Sequence, residues 1–326
     1  MRKPHSLLFV GGLGDGMATT SYMSSLVYAL QPTQWSLFTL NLTSSHQSWG
    51  LGHLDRDTTE IAQCIEYINE YKQAMFGGGK ITLMGHSTGS QDVLHYLSKS
   101  NPHTTSHKFD RDLQPFKRPT LDGAIMQAPV SDREAIHWVL EKGIGSRPAS
   151  ECREAYDQLI AIARDVAKQD LPYDTLLPLH LTTQLAYPAG HPVSCRRFLS
   201  LISPDTPHNP QEDDLFSSDI SDEHLQQTFG MIHQQGLLKY KLLVLPSGSD
   251  QAVPDWVDKD ALLARWRKAV DRNGELQIWD AENSGPVPGA SHALSNDDQA
   301  EPRRYLVEKV LSYLNGLEKA LTPASQ

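Results

Sequence analysis

Five residues, Gly85-His86-Ser87-Thr88-Gly89, constrain this chain more than any other stretch. The apolar run Lys80-Ile81-Thr82-Leu83-Met84 leads into them and the helix-like run Ser90 to Ser98 leads out. A strand that turns sharply into a helix through Gly-x-Ser-x-Gly holds its serine at the apex, above a sheet edge. The flanking glycines let neighbouring backbone come closer than a Cβ would allow. The stretch therefore reads as a nucleophile elbow with Ser87 as nucleophile. An ordinary turn serine is the plain alternative, and it leaves the strand before and the helix after unexplained.

Short apolar runs at Leu7 to Val10, Trp35 to Leu42, Ile81 to Met84, Leu121 to Gln127, Leu242 to Leu245 and Leu276 to Trp279 alternate with longer helical patterns. That alternation predicts an α/β fold with a mostly parallel, doubly wound sheet and helices on both faces. Asp57-x-x-Glu60 has the form of a capping box opening a helix whose apolar face is Ile61, Cys64, Ile65, Ile68 and Met75. A second helix is expected from Trp256 to Val270, its tryptophans in the core. A third is expected from Pro302 to Leu321, followed by a polar tail, Thr322 to Gln326, that should fray. Between Pro129 and Lys241 the alternation breaks, and Cys152, Tyr156, Leu159, Ala163 and Val166 mark one helix face there. The expected organisation is a hydrolase-like core of residues 1–130 and 237–326, with residues 131–236 inserted as a largely helical cap over the active site.

Lys and Arg total 29 against 39 Asp and Glu, a formal charge of −10, which argues against nucleic acid or an anionic membrane as partner. The basic pairs Lys117-Arg118 and Arg196-Arg197 stand apart from any basic stripe and read as solvated surface. Three widely spaced cysteines, Cys64, Cys152 and Cys195, form neither a disulfide framework nor a zinc pattern, which suits a reducing compartment. The start has no cleavage-like site after its short apolar run, and no run approaches the ~18 apolar residues of a membrane span. A soluble, cytoplasmic protein is expected, of unknown oligomeric state, with no metal and no organic cofactor.

A serine hydroxyl needs an imidazole to take its proton and a carboxylate to orient that imidazole, and after this type of elbow the order is Ser, acid, His. Asp250 sits in the loop Pro246-Ser247-Gly248-Ser249-Asp250 that follows the run Leu242 to Leu245. Asp255 is the competitor, although an acid there is also explained by the start of the next helix. His292, in Gly289-Ala290-Ser291-His292-Ala293-Leu294, comes last in the order and lies in a loop able to return over the elbow. The oxyanion calls for two backbone N–H groups. One is expected from Thr88. The other is expected from the loop Gly11-Gly12-Leu13-Gly14-Asp15-Gly16, where placing Gly11 in the His position of a His-Gly-x-Gly arrangement points to Leu13. A dinucleotide-binding turn does not fit that glycine spacing. Trp49 either lines the cleft or packs.

Phe9-Val10-Gly11-Gly12-Leu13-Gly14-Asp15-Gly16, Ser44-Ser45-His46-Gln47-Ser48-Trp49-Gly50 and Leu83 to Asp92 together resemble a fungal and plant branch of the α/β hydrolases that includes the intracellular SidJ-type siderophore esterases. The likeness covers Leu7 to Tyr96 and Asp122 to Val130 and returns around Asp250 and His292, leaving the cap poorly matched. It implies hydrolysis of the ester bonds of fusarinine-type hydroxamate siderophores, with iron arriving bound to the substrate and released in the cell. Ser87, Asp250 and His292 match the triad positions the resemblance implies. It also implies a strand pair ahead of Leu7, where six residues stand here, and the loop Asn283 to Gly289 lengthens the interval from acid to histidine. Two other readings share these residues. One is a general carboxylesterase, thioesterase or acyltransferase using the same triad. The other is a small-ligand binding protein on a hydrolase scaffold.

Overall fold

A computed structural model describes residues 3–103, 110, 112–114, 116–169, 171–172 and 174–321. Five strands, β1 (His5–Val10), β2 (Trp35–Leu40), β3 (Ile81–His86), β4 (Gly123–Gln127) and β5 (Leu242–Leu245), form one parallel sheet in the order β2-β1-β3-β4-β5. Parallel neighbours need long crossovers, and α1 (Met23–Leu30), α2 (Leu54–Phe76) and α3 (Thr88–Ser98) supply them between the first four strands. No strand precedes β1 among the described residues, and β2 forms that edge of the sheet.

Strand side chains alternate between faces, and the alternation sorts the core into two layers. Leu8 and Val10 of β1, Leu83 of β3 and Val244 of β5 pack with Ile61, Ile65 and Ile68 of α2 and with Trp266 of α10 (Lys259–Val270). Leu7, Phe9, Met84, Ile125 and Leu243 pack on the other side with α1 and with Leu306, Val310 and Leu314 of α11 (Ala300–Ala320).

Among the described residues six α-helices lie between β4 and β5: α4 (Asp132–Lys142), α5 (Ala149–Lys168), α6 (Leu179–Thr182), α7 (Cys195–Ile202), α8 (Asp222–Gln227) and α9 (Ile232–Gln235). The apolar faces of α5 and α7 meet in a third cluster with Leu177, Leu185 and Trp49. The later part of the insertion packs elsewhere: Phe216, Leu225, Phe229 and Ile232 join the first sheet layer, with Phe229 stacked on Trp266 at 5.3 Å.

Several sequence expectations change in the fold. Leu276 to Trp279 makes only an isolated parallel bridge, Trp279 to Leu242: the next ladder position on β5, Val244, is taken by Ser284 Oγ and Gly285 N, and the Ile278 and Trp279 N–H groups donate to Asp271 Oδ1 at 2.8 and 2.9 Å. Helix α2 starts a turn before the expected capping box, its N-cap being His53, whose Nδ1 accepts from Arg56 N. Asp57 is therefore inside the helix and buried, while Met75 is exposed. Helix α10 starts at Lys259 on an Asp258 cap, leaving Trp256 half-exposed against Trp138 instead of in the core. Arg118 and Arg197, expected on the surface, are buried. Arg118 donates to the carbonyls of His95 and Tyr96 in the last turn of α3 and of Lys99 and Ser100 just beyond it. The tail Thr322 to Gln326 lies outside the described residues. Among the described residues no helix is long and apolar enough to cross a membrane.

Tyr313 of α11 joins sheet to helix layer: its hydroxyl accepts from Ala124 N at 2.9 Å and donates to Lys241 O at 2.5 Å. Tyr313→Phe leaves both buried backbone groups without that partner and is expected to cost about 1–3 kcal/mol in urea unfolding, with kcat unchanged. A loss below a few tenths of a kcal/mol would remove this bridge from the account of the fold.

Candidate active site

Strand β3 ends and α3 begins within one residue, and that residue is Ser87, with φ 54° and ψ −121°. A non-glycine residue in this region stores strain, which persists only where the surroundings fix it. Here they do. A Cβ at Gly85 would stand 1.9 Å from Gly89 O, and one at Gly89 would stand 2.5 Å from Val10 O, so the turn closes only with glycine on both sides. Ser87 N donates to Gln127 O at 2.9 Å, pinning the apex to β4.

Loops at the carboxyl ends of β5 and beyond bring two more side chains to this apex. His292 Nε2 lies 2.8 Å from Ser87 Oγ, and His292 Nδ1 lies 2.8 Å from Asp250 Oδ2. Asp250 Oδ1 accepts from Ala252 N at 2.9 Å, which fixes the carboxylate, and Gln251 Oε1 accepts from His292 N at 3.0 Å. Asp255 is exposed, and Asp250 is the acid against the imidazole. Burial pulls the His292 pKa down, but the hydrogen bond and charge of Asp250, with Asp132 and Asp15 adding to them, hold it above its ordinary value. His86 lies beneath, its ring centre 5.2 Å from that of His292; burial, then the neighbouring His292, push its pKa down to about 4. Only one imidazole of the pair is thus suited to carry charge.

The loop after β1 lies against the serine: a Cβ on Gly12 would stand 2.6 Å from Ser87 Cβ. Asp15 Oδ2 accepts from Gly12 N at 3.0 Å and shapes the turn. Leu13 and Thr88 line a small cavity of about 20 Å³ with Gly11 and Gly12, about the room one water-sized oxygen needs. Thr88 opens α3, where first-turn N–H groups have no helical acceptor and the dipole is positive, so the place suits an oxyanion. Trp49 packs its indole against Tyr187 at 5.2 Å in the insertion and also borders this cavity.

A buried charged group beside this cavity was not legible in the sequence. Arg197 of α7 meets Asp57 of α2 and Asp92 of α3 at the cavity wall, and its Nη1 lies 2.8 Å from Asp213 Oδ1. That last contact is an ion pair without hydrogen-bond alignment, since Nη1 and both Asp213 oxygens lack a hydrogen-bond partner. Burial lifts Asp57 to about 7 and Asp92 well above its usual range, with Arg197 opposing both shifts. No local pattern marks these residues, because they come from four separate segments.

An alcohol, an imidazole and a carboxylate in hydrogen-bonded sequence, beside backbone donors at a helix start, can carry out acyl transfer through a serine. Comparison with known proteins gives the same direction. Residues 1–315 match the family model described as protein of unknown function DUF1749. The chain is 67% identical over 324 residues to the fusarinine C esterase of Aspergillus fumigatus, covering 98% of this chain and 91% of that protein. It is 48% identical to an esterase of Emericella nidulans over 97% of this chain and 87% of that one. The solved siderophore hydrolase EstB from Aspergillus fumigatus superposes with a TM-score of 0.87 at 65% identity, covering 98% of this chain and 92% of that one. A monoglyceride lipase variant from Saccharomyces cerevisiae, at 14% identity and a TM-score of 0.53 over 97% of this chain and 87% of that one, shares the fold.

Two outcomes are expected from this geometry. His292 can accept a proton only when neutral, and its pKa lies above 6.5. The rate of Ser87 labelling by a fluorophosphonate should therefore rise with pH through a midpoint above 6.5 and fall away below it. Asp250→Asn, which removes the group that raises that pKa, should shift the midpoint down and lower the plateau by about 10³–10⁴-fold. A midpoint identical in both proteins would contradict the electrostatic account. Gly12→Ala should push the loop off Ser87 and lower kcat by roughly 10²-fold with little change in unfolding midpoint; unaltered kcat would show that the loop does not position a reacting atom.

Proposed function

This chain belongs to the DUF1749 family and has the α/β-hydrolase fold, and on that premise we propose that it is a serine esterase that cleaves the ester bonds of fusarinine-type hydroxamate siderophores, releasing their iron in the cell. The observation that carries the reading is the continuous contact from Ser87 Oγ through His292 to Asp250, 2.8 Å at each step.

In this mechanism Ser87 Oγ attacks the ester carbonyl carbon while its proton passes to His292 Nε2. Asp250 keeps the other ring proton on Nδ1 and stabilises the imidazolium that forms. The N–H groups of Thr88 and Leu13 receive the oxyanion as the carbonyl becomes tetrahedral. His292 then gives its proton to the departing alcohol oxygen, leaving an acyl group on Ser87. Water then attacks the acyl carbon while losing a proton to the same imidazole, the bond from that carbon to Ser87 Oγ breaks, and His292 returns the proton to Ser87 as the acid leaves. No step calls for a metal or an organic cofactor, and ferric iron enters as part of the substrate.

We assign residues 131–236 the role of a cap over the core formed by 1–130 and 237–326. The separate apolar cluster around α5 and α7 supports this, as does the approach of Arg197 and Trp49 to the cavity beside Ser87. Trp49 is then a wall of the substrate cleft. A cytoplasmic site of action fits three cysteines that are all unpaired, and the charge of −10 makes nucleic acid and anionic membranes poor partners.

Product analysis by mass spectrometry with ferric fusarinine C tests the proposal. Wild type should yield linear and monomeric hydroxamate acids, and Ser87→Ala should lower the rate by about 10⁴-fold or more. Equal rates in the two proteins would rule out the mechanism. Parallel assays with p-nitrophenyl esters and an acyl thioester decide the substrate: much faster turnover of either than of the siderophore would replace the siderophore reading by a general esterase or thioesterase.

A further inference from the structure

The far end of α3 carries a second cluster of ligating side chains that the ester chemistry does not use. His95 and Asp55 are both buried. Asp55 Oδ1 stands 2.7 Å from His95 Nε2 and 3.2 Å from His103 Nε2. The rings of His95 and His103 are stacked 5.5 Å apart and inclined by 22°, so both present the same nitrogen to one carboxylate oxygen. Opposite them, Glu212 Oε1 lies 4.0 Å from His95 Nε2. That oxygen is shielded from solvent and has no hydrogen-bond partner, while Arg196 holds the other oxygen of the carboxylate at 2.8 Å. His53, the N-cap of α2, groups with Asp55 and Glu212 on the adjoining side, its own ring nitrogens being engaged by Arg56 N and by Asp110 Oδ2 at 2.9 Å.

A hydrogen-bonded network explains the contacts of Asp55 but not Glu212 Oε1, a desolvated acceptor that costs stability when left unpaired. Two imidazole nitrogens and one carboxylate oxygen within 4.8 Å of one another, with Glu212 Oε1 standing 4.0 Å from His95 Nε2, are, by contrast, a donor set for a first-row transition metal. Calcium and magnesium favour all-oxygen shells, so the imidazoles select against them. A cavity of about 460 Å³, lined by Asp55, His95, His103, Arg196 and Glu212, gives an ion a route to the cluster. Lys99 lines it too, and its charge opposes a cation; Arg196 is already neutralised by Glu212.

We propose that Asp55, His95, His103 and Glu212 form a binding site for a divalent transition metal, with zinc the best match. The four come from the first turn of α2, the last turn of α3, the segment after α3 and the insertion between β4 and β5. A bound ion would tie the insertion to the helix that Ser87 opens. Its role is structural, separate from the proton transfers at His292.

Chelator-stripped full-length protein titrated with Zn²⁺ alone should bind one equivalent by calorimetry. Its unfolding temperature should rise by about 3–6 °C at a hundredfold excess over Kd. His103→Ala and Asp55→Asn should abolish the rise, Glu212→Gln should weaken binding about tenfold, and the exposed His180→Ala should leave it unchanged. No heat and no shift in wild type would overturn the proposal, as would a shift that survives His103→Ala. Should Asp55→Asn fail to fold by circular dichroism, the His103→Ala titration decides alone.

Discussion

The close approach of three backbone segments at Ser87 is the constraint on which the rest of this structure depends. Val10 O at the end of β1 sits where a side chain on Gly89 would go, and Gly89 O sits where one on Gly85 would go. Because the turn is closed that tightly, Ser87 is held at positive φ, and its hydroxyl stands clear of the strand and the helix that it joins. The same approach brings the loop of Gly11, Gly12 and Leu13 against the serine and sets the small cavity beside it. Strain at the apex is compensated by the sheet, in which β3 and β4 are buried throughout and β1 is buried at every residue but His5.

Around that apex the electrostatics separate two neighbouring imidazoles. His292 has a carboxylate and is raised, whereas His86 is buried against it and falls to about 4. Neutral His86 interacts with Gln127, which also accepts from Tyr22 and donates to Ser247, and Ser247 in turn donates to His292 O at 3.1 Å. The imidazole that faces Ser87 is thus supported from its side chain by Asp250 and from its backbone by a chain of neutral groups. Supports of this kind hold the backbone of His292 in place without adding a further charge to those of Asp250, Asp132 and Asp15.

Much of the fold was legible because its signals are local. Alternation of apolar runs with helical patterns gave five strands of the sheet within a few residues, and the elbow was recognisable from its flanks. The sixth run, Leu276 to Trp279, failed as a strand because Ser284 and Gly285, farther along the chain, take the next ladder position at Val244 while Asp271 upstream takes two of the run's N–H groups, and no pattern within the run reveals that. Arg118 and Arg197 were misread for a related cause. Basic side chains are normally solvated, and only the assembled fold places a helix end around one and buried carboxylates around the other.

The sequence by itself determined the class of fold and the place of Ser87 at the turn, because strand, glycine turn and helix are contiguous and leave one geometry for it. Tertiary structure alone decided that Asp250 and not Asp255 meets His292, that Arg197 enters the core beside Asp57 and Asp92, and that Asp55, His95 and His103 come together with Glu212 4.0 Å from His95. Those outcomes depend on distances between segments far apart in the chain. Packing sets such distances; the spacing of residues along the polymer does not.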